Sequence, residues 1–375
     1  MGLEIVRAEG SFLFDKKKKK YVDLISGISV SSVGHCHPAV VSAIREQLKS
    51  YMHLMVYGEY IQGPQVRLAE KLASLLPKKL NCTYFTNSGT EAIEGALKLA
   101  KRITGRSELV SFRNGYHGST HGALSIMGAE TFKSAFRPLL PDTRLLNFNA
   151  VKDLAQITSR TACVVVEPMQ GEAGALPSAP GFLAALRNHC NKTGALLIFD
   201  EIQTGFGRTG SMFAFEQEKV VPDILVLAKG LGGGMPIGAF ISSRENMEML
   251  TNNPVLGHLT TFGGNAVCCA AAFATIETVE NEKLLRGIKK REKIIRRYFR
   301  HPAIKKLRGR GLLYAVVLDN EKAVQKVIRK CLAAGVITDW FLFCPEALRI
   351  APPLNIPEKV LEESCKIIVK AIDAL

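Results

Sequence analysis

Apolar residues run almost unbroken at positions 110–112, 162–166, 195–199 and 224–228. Strands of a parallel sheet read this way, because helices cover both faces and neither meets water. Between these runs the period lengthens to that of a helix, as over 181–193. The alternation predicts an α/β domain with a mostly parallel sheet. The ends of the chain break the pattern. Residues 12–28 read as short strands. Beyond about Thr275, basic helical stretches at 280–298, 321–334 and 357–374 alternate with strands near 312–318 and 348–351. These expectations divide the chain into a large domain at 36–274 and a smaller α+β domain built from 1–35 and 275–375.

The 375 residues are 47% hydrophobic, ample for a sizeable core. No apolar run reaches the ~18 residues a membrane helix needs, so no membrane partner is expected. Residues 1–9 lack an apolar signal core, so export is not expected either. Nine cysteines with no CxxC pair argue against a disulfide framework and for a reducing cytoplasm. Lysine and arginine number 49 against 34 acids, a net charge of +15. The densest cluster, five lysines at 16–20, has apolar flanks and reads as the solvated tip of a hairpin. No aromatic residues interleave with it, as a single-strand binder would need, so no nucleic-acid partner is expected.

In open α/β sheets, ligands bind beyond the carboxyl ends of the strands. There the apolar runs are followed by Asp200-Glu201-Ile202-Gln203, by Lys229-Gly230 and by Glu167-Pro168. By themselves Asp200 and Lys229 read as a buried ion pair. Four loops change that reading. Ser88-Gly89-Thr90 enters a helix predicted to run to about Arg102, whose free N–H groups and dipole suit a phosphate. Taken singly it is an ordinary N-cap. Gly115-Tyr116-His117-Gly118 sets an aromatic face between glycines, where a flat ligand can lie close. A glycine-rich stretch at 231–236 follows Lys229, and Thr260-Thr261-Phe262-Gly263-Gly264-Asn265 makes the fourth loop. An anion cradle, an aromatic plate, an aspartate and a lysine are the set that pyridoxal 5′-phosphate (PLP) needs. Lysine supplies the covalent amine, and aspartate keeps the pyridine nitrogen protonated.

Other residues read more plainly. His35 and His37 resemble a metal pair, but further ligands are wanting, so no metal is expected. His117 and His121, four apart, fit one helical face that packs and hydrogen-bonds near the cofactor. Cys268 and Cys269 read as buried helix, and Trp340 as packing.

The motifs at 34–38, 87–92, 116–118, 167–172, 200–210, 227–238, 261–265 and 348–354, in this order, carry a resemblance. The chain closely resembles the class III (ω-amino acid) aminotransferases of the type I PLP fold. It is nearest to the acetylornithine/ornithine aminotransferase branch, with 4-aminobutyrate aminotransferase close by. The likeness extends from Gly10 to Leu375. It implies that Lys229 holds the cofactor and shuttles the proton between substrate Cα and cofactor C4′. Asp200 would pair with the pyridinium, Gln203 with the ring hydroxyl, and Tyr116 would stack on the ring. Gly89 and Thr90 would hold the phosphate, joined by Thr261 from the partner subunit of a homodimer. Thr260, beside it, and Ser119 would face the substrate. Arg349 would grip the α-carboxylate of glutamate or 2-oxoglutarate, where a bidentate fork suits the ligand. Glu172 would pair with Arg349 when no α-carboxylate is present, since an unpaired buried guanidinium is costly.

The resemblance has three departures. Ser119 stands where acetylornithine and 4-aminobutyrate members usually carry an arginine for the far carboxylate of the substrate. Ile28 stands where ornithine δ-aminotransferases tend to have tyrosine. The helix that usually precedes the first hairpin is short or missing. The leading expectation is transfer from an ω-amino donor such as N-acetylornithine, or an ornithine-like amine, to 2-oxoglutarate. A PLP aminomutase or racemase of the same fold is opposed by the Glu172–Arg349 pair, since internal rearrangement needs no outside oxo-acid. A nucleic-acid-binding or PLP-sensing protein has only the +15 charge in its favour.

Overall fold

The computed structural model describes residues 2–56 and 58–375; Met1, the first residue of the 1–35 segment, and Tyr57 lie outside the described residues. The unbroken apolar runs lie in one seven-stranded sheet. Its order is Cys82–Thr86, Gly238–Ser242, Ile224–Leu227, Leu196–Asp200, Thr161–Val166, Glu108–Phe112, Thr143–Leu146. Neighbours are parallel except where Gly238–Ser242 runs antiparallel to both of its flanking strands. Successive residues of Thr161–Val166 divide between two cores: Val164 and Val166 join one cluster, Cys163 and Val165 the other. That is the period-2 geometry of a strand buried on both faces.

The helix Gly89–Thr104 covers one face. Ser88 caps it, its Oγ accepting from the Glu91 N–H at 3.3 Å, and Gly105 ends it in the left-handed region at φ 67°. Its stripe of Ala92, Ile93, Ala96, Leu97 and Ala100 packs with Val165, Ile198, Val226 and Phe240. On the other face Phe182–Thr193 contributes Phe182, Leu183, Leu186 and Cys190 to the largest cluster. Parallel strands end at one edge of the sheet, so the loops after Thr86, Phe112, Val166, Asp200 and Leu227 gather there.

The described residues form three smaller sheets besides, one of them the two-stranded pair Met169–Gln170 and Leu176–Pro177. Ile5–Glu9, Phe12–Asp15 and Lys20–Asp23 are an antiparallel meander, and Val336–Ile337 adds to it in parallel, with Val22 opposite Val336. The five lysines are exposed at its tip. Lys306–Arg310, Leu313–Val317, Cys344–Ile350 and Trp340–Phe341 form an antiparallel sheet.

The structure corrects several expectations. The helix expected at 280–298 is divided: Ala266–Asn281 ends, Lys283 turns left-handed at φ 53°, and Leu284–Tyr298 begins. Ala266–Asn281 crosses the 274/275 boundary and contains the buried Cys268 and Cys269. The strand expected at 348–351 is the longer Cys344–Ile350, and Ser26–Ser29 is a left-handed turn, each residue at positive φ, rather than strand. Trp340 is no packing residue, since it is 42% exposed. His117 and His121 share no helical face: His117 is buried in a loop, and His121 starts the short helix His121–Ser125.

Candidate active site

Asp200 is the last residue of Leu196–Asp200 and sits opposite Val226 on the neighbouring strand Ile224–Leu227, after which Ala228 leads into a turn that Lys229 begins. The parallel ladder thus brings the carboxylate and the lysine to adjacent positions. Both line one cavity of about 480 Å³, with Asn87, Ser88, Gly89, Thr90, Tyr116, Ser119 and Gln203. Lys229 has a left-handed backbone, φ 43°. Burial holds its amine below the usual lysine range, against the pull of Glu172 and Asp200.

His117, buried beneath this cavity, shares a hydrogen bond of 2.7 Å between its Nδ1 and Asp200 Oδ2. Asp200 Oδ1 accepts from the Ile202 N–H at 3.0 Å. Burial would strip the proton from His117. The Asp200 bond and the charges of Asp200 and Glu167 outweigh it, so its pKa is raised. Glu167 takes the N–H of Tyr116 at 3.1 Å and of Gly171 at 2.8 Å. Burial, with Asp200 adding to it, pushes the Glu167 carboxyl up to about 7. Glu167 therefore ties the Tyr116 loop to the strand end beside it.

At the other end of the cavity the N–H groups of Gly89 and Thr90 have no acceptor within their own helix. Thr90 Oγ1 lies 2.7 Å from Thr120 Oγ1. Gly118, at φ 126°, presses on Thr90, and a Cβ there would come within 3.0 Å of the Thr90 Cα. The cavity therefore has a helix start and hydroxyls at one end, a buried carboxylate at the other, and a lysine with a depressed pKa between. That donor set fits PLP, whose phosphate needs N–H and hydroxyl donors and whose pyridine nitrogen needs a carboxylate.

Glu172 and Arg349 lie behind Gln203, whose Nε2 donates to Glu172 Oε1 at 3.5 Å. Arg349 donates to both carboxylate oxygens, Nη1 to Oε1 at 3.0 Å and Nη2 to Oε2 at 2.9 Å. Burial opposes ionisation of Glu172, but Arg349 and Lys229 hold it below the usual carboxylate range. Thr260 and Thr261 are not in the cavity wall. Thr260 Oγ1 accepts from Asn87 Nδ2 at 3.0 Å, one residue removed from it, and Thr261 is exposed. Ser119 is exposed beside Tyr116, with 3.4 Å between their hydroxyls.

A sequence profile described as aminotransferase class-III matches residues 1–372. The chain belongs to the class-III aminotransferases. It is 40% identical over 374 residues to the acetylornithine aminotransferase of Methanopyrus kandleri, covering 99% of this chain and 94% of that one. A transaminase from the marine bacterium Virgibacillus superposes with a TM-score of 0.94 at 28% identity, covering 100% of this chain and 93% of that one. The ornithine aminotransferase of Toxoplasma gondii gives 0.92 at 30% identity, covering 100% and 91%. The class-III chain is thus a PLP-dependent aminotransferase of the type I fold.

Two residues of this class-III site went unassigned in the sequence. Glu167 directly follows the strand Thr161–Val166, and that position was its only signal. Asp339, whose Oδ1 takes the Nε–H of Arg349 at 2.9 Å, gave none.

Proposed function

We propose that the chain transfers an amino group from an ω-amino donor, N-acetylornithine or an ornithine-like amine, to 2-oxoglutarate. The observation that carries this reading is the Glu172–Arg349 pair. A wholly buried fork closed by a carboxylate in the same chain suits a site that takes an α-carboxylate in one half-reaction and none in the other. When bound, PLP supplies a carbonyl that takes up the amine and a ring that accepts electrons. Lys229 would hold the cofactor and move a proton at the substrate Cα; its depressed pKa suits a base that must be neutral to accept. Asp200, oriented by His117 and Ile202, would keep a pyridine nitrogen protonated. Tyr116 would offer its face to the ring, and Gln203 a hydrogen bond to the ring hydroxyl.

We place the enzyme in a homodimer, with Thr261 reaching the phosphate of the neighbouring subunit. A second cavity of about 480 Å³ beside Thr260, lined by Tyr60, Ile61, Val66 and Leu259, supports this. Ile61 is 94% exposed, and such a patch suits a partner surface. Nine free cysteines support a cytoplasmic setting.

Ser119 favours a relaxed donor range, extending to ω-amines that present no far carboxylate. It gives the far end of a donor a neutral hydroxyl where an arginine would give a charge, a difference of about 1 kcal/mol, or roughly fivefold. Stopped-flow spectra of each half-reaction with candidate amines test the reading. Turnover should require 2-oxoglutarate, and Ser119→Arg should raise kcat/KM for N-acetylornithine severalfold with glutamate little changed. Turnover without any oxo-acid would overturn the transfer reading in favour of an aminomutase.

A further inference from the structure

Arg349 is held by more than Glu172. Its guanidinium, 2% exposed, has five N–H donors, and four find acceptors. Glu172 occupies the edge formed by Nη1 and Nη2. The remaining two bonds go to the short strand Trp340–Phe341 and the residue before it: Nε to Asp339 Oδ1 at 2.9 Å, and Nη2 to the Trp340 carbonyl at 3.1 Å. The next residue, Phe341, lays its ring 4.2 Å from the guanidinium carbon. This segment is itself tied to the strand bearing Arg349. The Arg349 N–H donates to the Asp339 carbonyl at 2.8 Å, and Thr338 Oγ1 to the Arg349 carbonyl at 2.5 Å.

The two carboxylates are therefore not equivalent. Glu172 sits on the fork that a substrate carboxylate would use, and Asp339 sits on the Nε that such a ligand leaves alone. If Glu172 were the sole counter-ion, its departure would leave a buried cation unpaired and free to turn about its own side chain. We propose that Asp339 is a positioning residue for the carboxylate grip, keeping Arg349 paired and its fork aimed while Glu172 gives way to a substrate α-carboxylate. This rests on the reading of Arg349 as the α-carboxylate site. It adds a residue that acts in only one half-reaction, because with an ω-amine bound Glu172 stays in place and orients the guanidinium itself.

Asp339→Asn keeps an oxygen for the Nε–H and Asp339→Ala removes it, so the pair separates alignment from mere occupancy. The holoenzyme, charged in its pyridoxamine phosphate form, is mixed with 2-oxoglutarate in single turnovers. The alanine variant should raise the Kd for 2-oxoglutarate ~tenfold, the effect of one lost charged hydrogen bond. Its limiting rate should change much less. Asparagine should recover most of the affinity. The N-acetylornithine half-reaction of the alanine variant should move less than the 2-oxoglutarate one. Asp339→Ser, too short to reach Nε, replaces alanine if that variant does not fold, with the same expectation. Arg349→Ala is run beside them. If it weakens 2-oxoglutarate and Asp339→Ala does not, or if both half-reactions of Asp339→Ala fall equally, the positioning role is overturned. If Arg349→Ala itself leaves 2-oxoglutarate binding intact, the α-carboxylate reading fails, and the positioning role fails with it.

Discussion

Single residues carry most of the chemistry, and their legibility depended on where they stand. Asp200 and Lys229 could be read because each directly follows a buried apolar run, where a charged side chain has no packing reason to be. Asp339 could not, since its partner lies across a turn whose geometry no periodicity predicts. Lys229→Ala should lower kcat by roughly three to four orders of magnitude, since the covalent hold and the proton shuttle vanish together. Borohydride reduction of the wild type, followed by peptide mass mapping, should find the cofactor on Lys229; a label on another lysine would remove it from this role. Glu201 makes a different prediction. It is wholly buried, accepts the N–H groups of Ala214 and Phe215 at 2.7 Å each, and has a carboxyl that burial pushes from 4.5 up to about 7. The folded protein therefore holds this proton more tightly than the unfolded chain. Its contribution to stability is full below about pH 4.5 and is lost as the pH rises through about 7. Glu201→Gln should start less stable, because one backbone N–H then meets the amide NH2. The gap to wild type should narrow by on the order of 3 kcal/mol between pH 4.5 and 8 in urea melts. A gap that ignores pH would show Glu201 ionised throughout.

Among the elements, strands buried on both faces were legible, whereas Ala266–Asn281 showed only as buried helix at Cys268 and Cys269, without its bounds. Strands buried on both faces announce themselves as unbroken apolar runs. Ala266–Asn281 is small and apolar nearly all round, so it lacks the polar stripe that marks a surface helix. The helix Gly89–Thr104 was legible from Ser88 and Gly89, yet the pressure of the Tyr116 loop against its first turn was not. Gly118→Ala should show that pressure. The added methyl meets Thr90 at a φ of 126°, where a side chain is strained by about 1–3 kcal/mol. Cofactor affinity, titrated by absorbance, should fall about tenfold while the far-ultraviolet circular dichroism stays native. Gly105→Ala, at φ 67° with nothing within 4 Å, is the control, and it should cost stability but not cofactor. Equal losses of affinity in the two would place the effect in folding rather than in the cradle.

At the scale of the whole molecule, four of the seven strands of the large sheet were foreseen, and the site only in part. Thr260 and Thr261 stand outside the cavity of their own chain, which is what a site completed by a second chain requires. Mixed chains of Lys229→Ala and Thr261→Ala should regain activity, because one site of the hybrid has both native residues. No gain after proven subunit exchange would confine the site to one chain. The meander at the start of the chain has a consequence of another kind. Lys20–Asp23 finds its neighbour in Val336–Ile337, and Lys19 reaches the carbonyl of Ala333 across 314 residues. On the ribosome, at ~5–20 residues per second, the first strands wait on the order of 15–60 s for that partner to emerge. Throughout synthesis they present an open edge, ready to pair with any strand that comes near. The five lysines at the hairpin tip stand beside that edge as a mutual repulsion between nascent chains.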